Sequence, residues 1–250
     1  MTYCLGIKVK SGLLAIADTR LTSGTETTTA KKVYVQQKDN HSIFIMTSGL
    51  RSVRDKAITY FKEVMEEEGG HFNKLYKAVN AFGTQLRRVA EEDKPALNQA
   101  GLFFNLYTIV GGQLADDEEH KLYLLYPEGN WVEIGESSPF VIIGNSGYGK
   151  PILNRTLTYE SSMKSALKTG FLSFDSTRVS ANDVEFPLDI VLYKADSFQL
   201  IEHRFEKQDL QQISELWAEE LKTALKHVPD DWMETALSKL PKSKVSENQI

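Results

Sequence analysis

The chain has 250 residues, a formal net charge of −5, 41% hydrophobic and 25% charged residues, and one cysteine. That length supports a single well-filled core, and lone Cys4 excludes an internal disulfide. The acidic balance, with no dense Lys/Arg run, speaks against nucleic-acid binding, and no apolar stretch reaches the length of a membrane span.

No Cys/His spacing suggests zinc. The histidines (His41, His71, His120, His203 and His227) are scattered and form no HExxH, so neither metal nor cofactor is expected. The N-terminus lacks a basic region followed by an apolar core, so no signal peptide is read and a cytoplasmic protein is expected.

"YCLGIKVK" and "GLLAIAD", separated by Lys10-Ser11-Gly12, read as a hairpin. A Thr-rich, turn-prone stretch over residues 22–29 follows. "KKVYVQQ" and "SIFIMTSG" are two further strands joined by a turn at Lys38-Asp39-Asn40. The period then changes. Val53, Ala57, Tyr60, Phe61, Val64 and Met65 recur at helical spacing until "EEEGG", and Leu75, Val79, Phe82, Leu86 and Val89 mark a second amphipathic helix. Strands resume with "LFFNLYTIVGG", "KLYLLYP", "NWVEI" and "FVIIG". A third helix is expected from about Pro151, a residue suited to a first helical position. A fourth covers part of residues 161–173. "LDIVLYKA" and "FQLIEHRFE" return to strand, and Leu210, Ile213, Trp217, Leu221 and Leu225 mark a long C-terminal helix. Residues 1–240 read as one domain and 241–250 as a polar tail. The order suggests two sheets packed face to face with helices outside.

"GNSGYGKP", residues 144–151, imitates a phosphate-binding loop, which wants Lys and then Ser or Thr after its second glycine. Pro151 stands where that hydroxyl belongs and lacks a backbone N–H for the phosphate cradle. The stretch reads as a glycine-rich strand-to-helix turn.

The other chemical signal is the start itself. Removal of Met1 would give Thr2 a free α-amine, which titrates near 7.7–8.0 and can serve as base to its own hydroxyl. A retained Met1 would block that amine. Asp18 ends the second strand of the hairpin, so it falls near the start of the first. Lys31 or Lys32 can supply an ammonium to Asp18, and strand alternation lets only one of the two point inward. "TSGL" ends a strand and opens a helix, where backbone N–H groups can hold an oxyanion close to Gly49. Ser146 lies in a turn from which its hydroxyl can reach the amine.

"TYCLGI", "IADTR", "KKVYV", "MTSGL" and "GNSGYGKPIL", in this order, resemble a proteasome-type β-subunit. "YGKPIL", "SFDST" and "PLDIVLY" make the chain most similar to the bacterial ancestral β-subunit group, Anbu. The resemblance implies an α+β, four-layer αββα N-terminal-nucleophile fold. It also implies a threonine peptidase that acts on peptides or unfolded proteins and self-assembles into rings or ring-like helices. An unfolding partner is left open. By motif position it makes Thr2 the nucleophile, Asp18 and Lys32 the charged pair, Gly49 the oxyanion donor and Ser146 the partner of the amine. Asp175 is expected in the loop before a late strand, with Ser176, Thr177 or Ser180 as its hydroxyl partner. Leu21, Ala30, Thr47 and Arg51 would line the pocket for the residue before the scissile bond, with Arg51 favouring acidic or polar side chains. A non-peptidase amidohydrolase, a catalytically silent assembly protein and a nucleotide binder are the competing readings.

Overall fold

The computed structural model describes residues 2–23, 26–68 and 72–241. Met1, His71, the Gly69-Gly70 helix stop and most of the polar tail lie outside the described residues.

Strands β1 (Tyr3–Val9) and β2 (Gly12–Asp18) form the expected hairpin, and every residue in both is buried. A strand buried on both faces needs apolar material on each side. Alternation supplies it: Leu14 and Ile16 join one hydrophobic cluster, while Leu13, Ala15 and Ala17 join another. The hairpin sits inside a five-stranded antiparallel sheet. Its order is β10 (Phe140–Gly144), β1, β2, β11 (Leu188–Lys194) and β12 (Leu200–Phe205).

The second five-stranded antiparallel sheet runs in chain order: β5 (Val33–Lys38), β6 (His41–Gly49), β7 (Leu106–Gln113), β8 (Lys121–Leu125) and β9 (Trp131–Glu133). In β6 the same alternation sends Phe44 and Met46 into a cluster with Cys4, Ala15 and Val191 of the first sheet. Ile43 and Ile45 face the other way. They pack with Val53, Ala57, Phe61 and Met65 of helix α1 (Arg51–Glu68), and with Val79, Phe82 and Leu86 of helix α2 (Leu75–Gln99). The four α1 residues are spaced by four, one stripe on one helix face.

Tyr3, Leu5, Ile7, Leu14 and Ile16 of the first sheet cluster with Leu153 of α3 (Lys150–Thr156) and with Ala166, Phe171 and Phe174 of α4 (Met163–Ser180). The Tyr3 and Phe186 rings both meet Phe174 edge-on, a favourable geometry for aromatic pairs. Ser162 caps α4 by accepting from the Ser165 N–H.

The structure departs from expectation in four places. The Thr-rich stretch is not a plain turn: β3 (Arg20–Ser23) pairs antiparallel with β4 (Glu26–Thr29) as a two-stranded ribbon. Consecutive β-branched threonines favour extended backbone. Strand β7 starts at Leu106, so Leu102 to Asn105 precede it and Phe103 is exposed. Helix α4 runs on to Ser180, past the expected stop at residue 173. A short helix α6 (Asp231–Leu237) follows where no element was read. The chain falls into two compact units, one up to Leu210 and one from Gln211 onward. Helix α5 (Lys207–Lys226) has Leu210 as its only buried residue. The unit from Gln211 onward holds the rest of α5 and α6, with Leu216, Leu225 and Trp232 exposed.

Candidate active site

Three strand ends and one helix start meet at one edge of the two sheets. The register opposes Cys4 to Ala17, so Tyr3 comes level with Asp18. The Tyr3 N–H donates to Asp18 Oδ1 at 2.8 Å, and Lys32 Nζ donates to the same oxygen at 2.6 Å. Both side chains are buried, at 0% and 2% exposure. Burial pushes the Asp18 carboxyl up from its ordinary value; the Lys32 ammonium and the Tyr3 and Arg20 N–H groups oppose that rise. Among the described residues Asp18 Oδ2 is buried and has no hydrogen-bond partner. Alternation decides between the lysines: Lys32 points inward, and Lys31 is half exposed and pairs with Glu202 on β12.

Thr2 is buried. Its carbonyl accepts from the Asn145 N–H at 2.7 Å. Gly144, opposite Tyr3 in the register, has φ +87°, and a Cβ there would collide with the Thr2 carbonyl and come within 3.2 Å of Ser48 Oγ. Only glycine lets the end of β10 close on Thr2 and on the end of β6. Ser146, half-buried, follows one residue beyond Asn145. At the end of β6, Gly49 has φ +147° and a Cβ there would strike the Asn105 carbonyl. The Leu50 N–H donates to that same carbonyl at 3.0 Å, which fixes the turn into α1. Thr2, Asp18, Lys32, Gly49 and Ser146 thus belong to segments that converge on one place.

No protein-family model and no functionally curated protein matches this chain. Solved structures do. Anbu (Gly-1 mutant) from Hyphomicrobium sp. strain MC1 is 28% identical at a TM-score of 0.84, covering 92% of this chain and 98% of that one. Anbu from Yersinia bercovieri is 26% identical at 0.83, covering 91% and 97%. The helical assembly of the Anbu complex from Pseudomonas aeruginosa is 28% identical at 0.85, covering 91% and 97%. Over most of its length the chain is similar to Anbu, proteasome β-subunit-like proteins. Its mixed helix-and-sheet architecture is that of an N-terminal-nucleophile hydrolase-like fold, and Asp18 and Lys32 lie within it as a buried pair.

Four of the expected site residues stand elsewhere. Asp175 is in the middle of α4, not in a loop, and its Oδ1 accepts from Arg178 Nε and Nη2 at 3.2 and 2.7 Å. The Ser176, Thr177 and Ser180 hydroxyls each donate to a carbonyl one turn back in the same helix. The residue that links α4 to the site is Ser173, which the sequence reading passed over. Its hydroxyl accepts from Tyr3 Oη at 2.7 Å and donates to the Gly149 carbonyl at 2.8 Å. Ser173, Phe174 and Thr177 share the buried side of α4, and that helical phase was the signal available.

The second displaced residue is Arg51, whose side chain is 63% exposed and pairs with Asp55. A cavity of about 300 Å³ lies instead along Arg54, Ile58 and Lys62 of α1, with Lys32 and Thr47 beside them. Those α1 positions flank the Val53–Ala57–Phe61 core stripe by one residue. Thr47 lines this cavity, Leu21 does not, and Ala30 lines a separate cleft beside Asp189 and Arg204. No cluster of metal-ligating side chains exists among the described residues, and none of their helices is long and apolar enough to cross a membrane.

Proposed function

We propose that this chain is a proteasome-like threonine peptidase of the cytoplasm, built as a four-layer αββα sandwich and activated by removal of Met1. The observation that carries the reading is the buried relay from Lys32 to Asp18 to the Tyr3 N–H, which ends one residue from Thr2. A buried ion pair is a costly way to stabilise a fold, and this one lies against the residue that would carry the reactive groups.

In the proposed cycle the neutral α-amine of Thr2 takes the proton of its own hydroxyl, and Oγ1 attacks the substrate carbonyl. The oxyanion rests on the Gly49 N–H. The protonated amine returns its proton to the leaving nitrogen as the C–N bond breaks, leaving an acyl ester on Oγ1. Water, deprotonated by the same amine, cleaves the ester and restores Thr2. The Lys32 ammonium biases this proton traffic by its charge, Asp18 holds Lys32 in place, and Ser146 orients the amine. Self-assembly into a ring or ring-like helix is part of the proposal, supported by the helical assembly of the Pseudomonas aeruginosa protein.

The test is intact mass before and after a hydroxyl-directed covalent inhibitor. The expected result is a chain lacking Met1 that gains one inhibitor, with Thr2→Ala gaining none and losing peptidase turnover while staying folded. Full turnover by Thr2→Ala would sink the mechanism.

A further inference from the structure

The cavity beside Lys32 is positively lined. Lys31, Lys32, Arg54 and Lys62 face it against one carboxylate, Asp55. Lys32 is taken up by Asp18, and Lys31 is drawn outward by Glu202. Arg54, 17% exposed, gives Nε and Nη2 to Asp55 Oδ1 at 2.8 and 2.6 Å. A guanidinium has five N–H donors in a fork suited to carboxylates, so the arginine keeps donor capacity beyond that bond. Lys62 Nζ stands 5.1 Å over the Tyr34 ring.

A second observation points to a ligand. Thr47 is 5% exposed and lines the same cavity, and among the described residues its Oγ1 has no hydrogen-bond partner. Buried hydroxyls normally find a partner, and an acceptor placed in the cavity would supply one. The Cys4 thiol lies 3.9 Å from the Thr47 carbonyl, so this strand end abuts β1 two residues beyond Thr2. The volume, about 300 Å³, is at the small end for ligand sites and suits one side chain.

We infer that this cavity takes the side-chain carboxylate of a substrate Glu or Asp, with Arg54 as its principal recognition group and the Thr47 hydroxyl as a second donor. The inference rests on the peptidase reading and names its substrate class: peptides with an acidic residue next to the scissile bond. It transfers the recognition role expected of Arg51 to Arg54, one helical turn further along α1.

The experiment compares amide-capped fluorogenic peptides that differ only in that residue: Glu, Gln, Leu or Lys. Glu should exceed isosteric Gln by about tenfold or more in kcat/KM, chiefly through KM, because a charge-assisted bidentate contact is lost with Gln. Arg54→Met should collapse the Glu/Gln ratio toward one, Arg54→Lys should keep part of it, and Thr47→Val should lower it severalfold. Calorimetry on Thr2→Ala with the Glu and Gln peptides reads the same preference without turnover. Equal handling of Glu and Gln, or an undiminished ratio in Arg54→Met, overturns the inference and leaves the peptidase reading standing. An unlabelled Thr2 with no peptide cleaved overturns the peptidase reading, and the calorimetric comparison still decides the cavity's preference.

Discussion

Replacing Lys32 by Met tests whether the Asp18–Lys32 pair is buried as described. The perturbation removes the ammonium from a 2.6 Å contact with a carboxylate that has no exposed surface. At an effective dielectric constant of about 20, that contact represents roughly 6 kcal/mol of attraction, most of it offset in the native protein by desolvation. Deleting one partner strands the other, and the net loss should be about 3–5 kcal/mol. Against a total stability of about 5–15 kcal/mol, this shifts the urea midpoint visibly without abolishing folding in a well-packed chain. Lys32→Met combined with Asp18→Asn removes the stranded charge and keeps an acceptor for the Tyr3 N–H. It should recover about 2 kcal/mol or more of the single-mutant loss. The pH arm has a definite sign. Burial already raises the Asp18 carboxyl above its unfolded value, and losing Lys32 raises it further. A carboxyl with a raised folded-state value binds an extra proton on folding, so its penalty is present above both values and shrinks as pH falls through the folded one. The gap between Lys32→Met and wild type should therefore narrow from pH 8 to pH 5. A loss under about 1 kcal/mol, as for a solvated surface pair, with no pH dependence, would refute the buried relay.

Three further outcomes are expected. Gly144→Ala should cost at least about 1–3 kcal/mol, because the position has φ +87° and the new methyl collides with the Thr2 carbonyl; chemical denaturation measures it, and a neutral variant would show that Thr2 is not clamped. Cys4 is fully buried and its thiol is pushed up, chiefly by desolvation. It should resist a thiol-specific chromogenic reagent until urea unfolds the chain, and prompt native reactivity would contradict that burial. His120 is held below its ordinary value by burial, opposed by the bond to the Val9 carbonyl, with the Lys8 cation lowering it and Glu119 and Asp196 raising it. A depressed group contributes stability that is present above its unfolded value and lost as pH falls through the folded one. Denaturation midpoints should accordingly drop below about pH 6.5, and His120→Gln should flatten that limb; an unchanged limb would assign the acid sensitivity to other groups.

What the sequence made legible was whatever depended on short-range geometry. A hairpin must return its second end to its first, so Asp18 could be placed beside the chain start. Alternation forced a choice between Lys31 and Lys32. The period of four in Val53, Ala57, Phe61 and Met65 announced α1. Arg51 and Arg54 are a different matter: they lie one turn apart, and only the docking of α1 on β6 decides which enters the cavity. Asp175 was expected in a loop because the resemblance carried it there, and "SFDSTRVS" is rich in residues that form helices poorly. The packing of Phe171 and Phe174 against Tyr3 and Phe186 overrides that preference and extends α4 through it. The Tyr3–Ser173–Gly149 chain joins residues far apart in sequence, and nothing local encodes it.

The bond from Asn145 to the Thr2 carbonyl has a practical consequence for anyone handling the protein. It grips the backbone on the downstream side of Thr2, as does the ladder from Tyr3 to Gly144. Neither contact involves the amine. A preparation carrying extra residues ahead of Thr2 should therefore melt like the trimmed form while, on the proposed peptidase mechanism, being chemically inert. Conformational quality and the proposed catalytic competence are separate properties here, and a sharp unfolding transition certifies only the first.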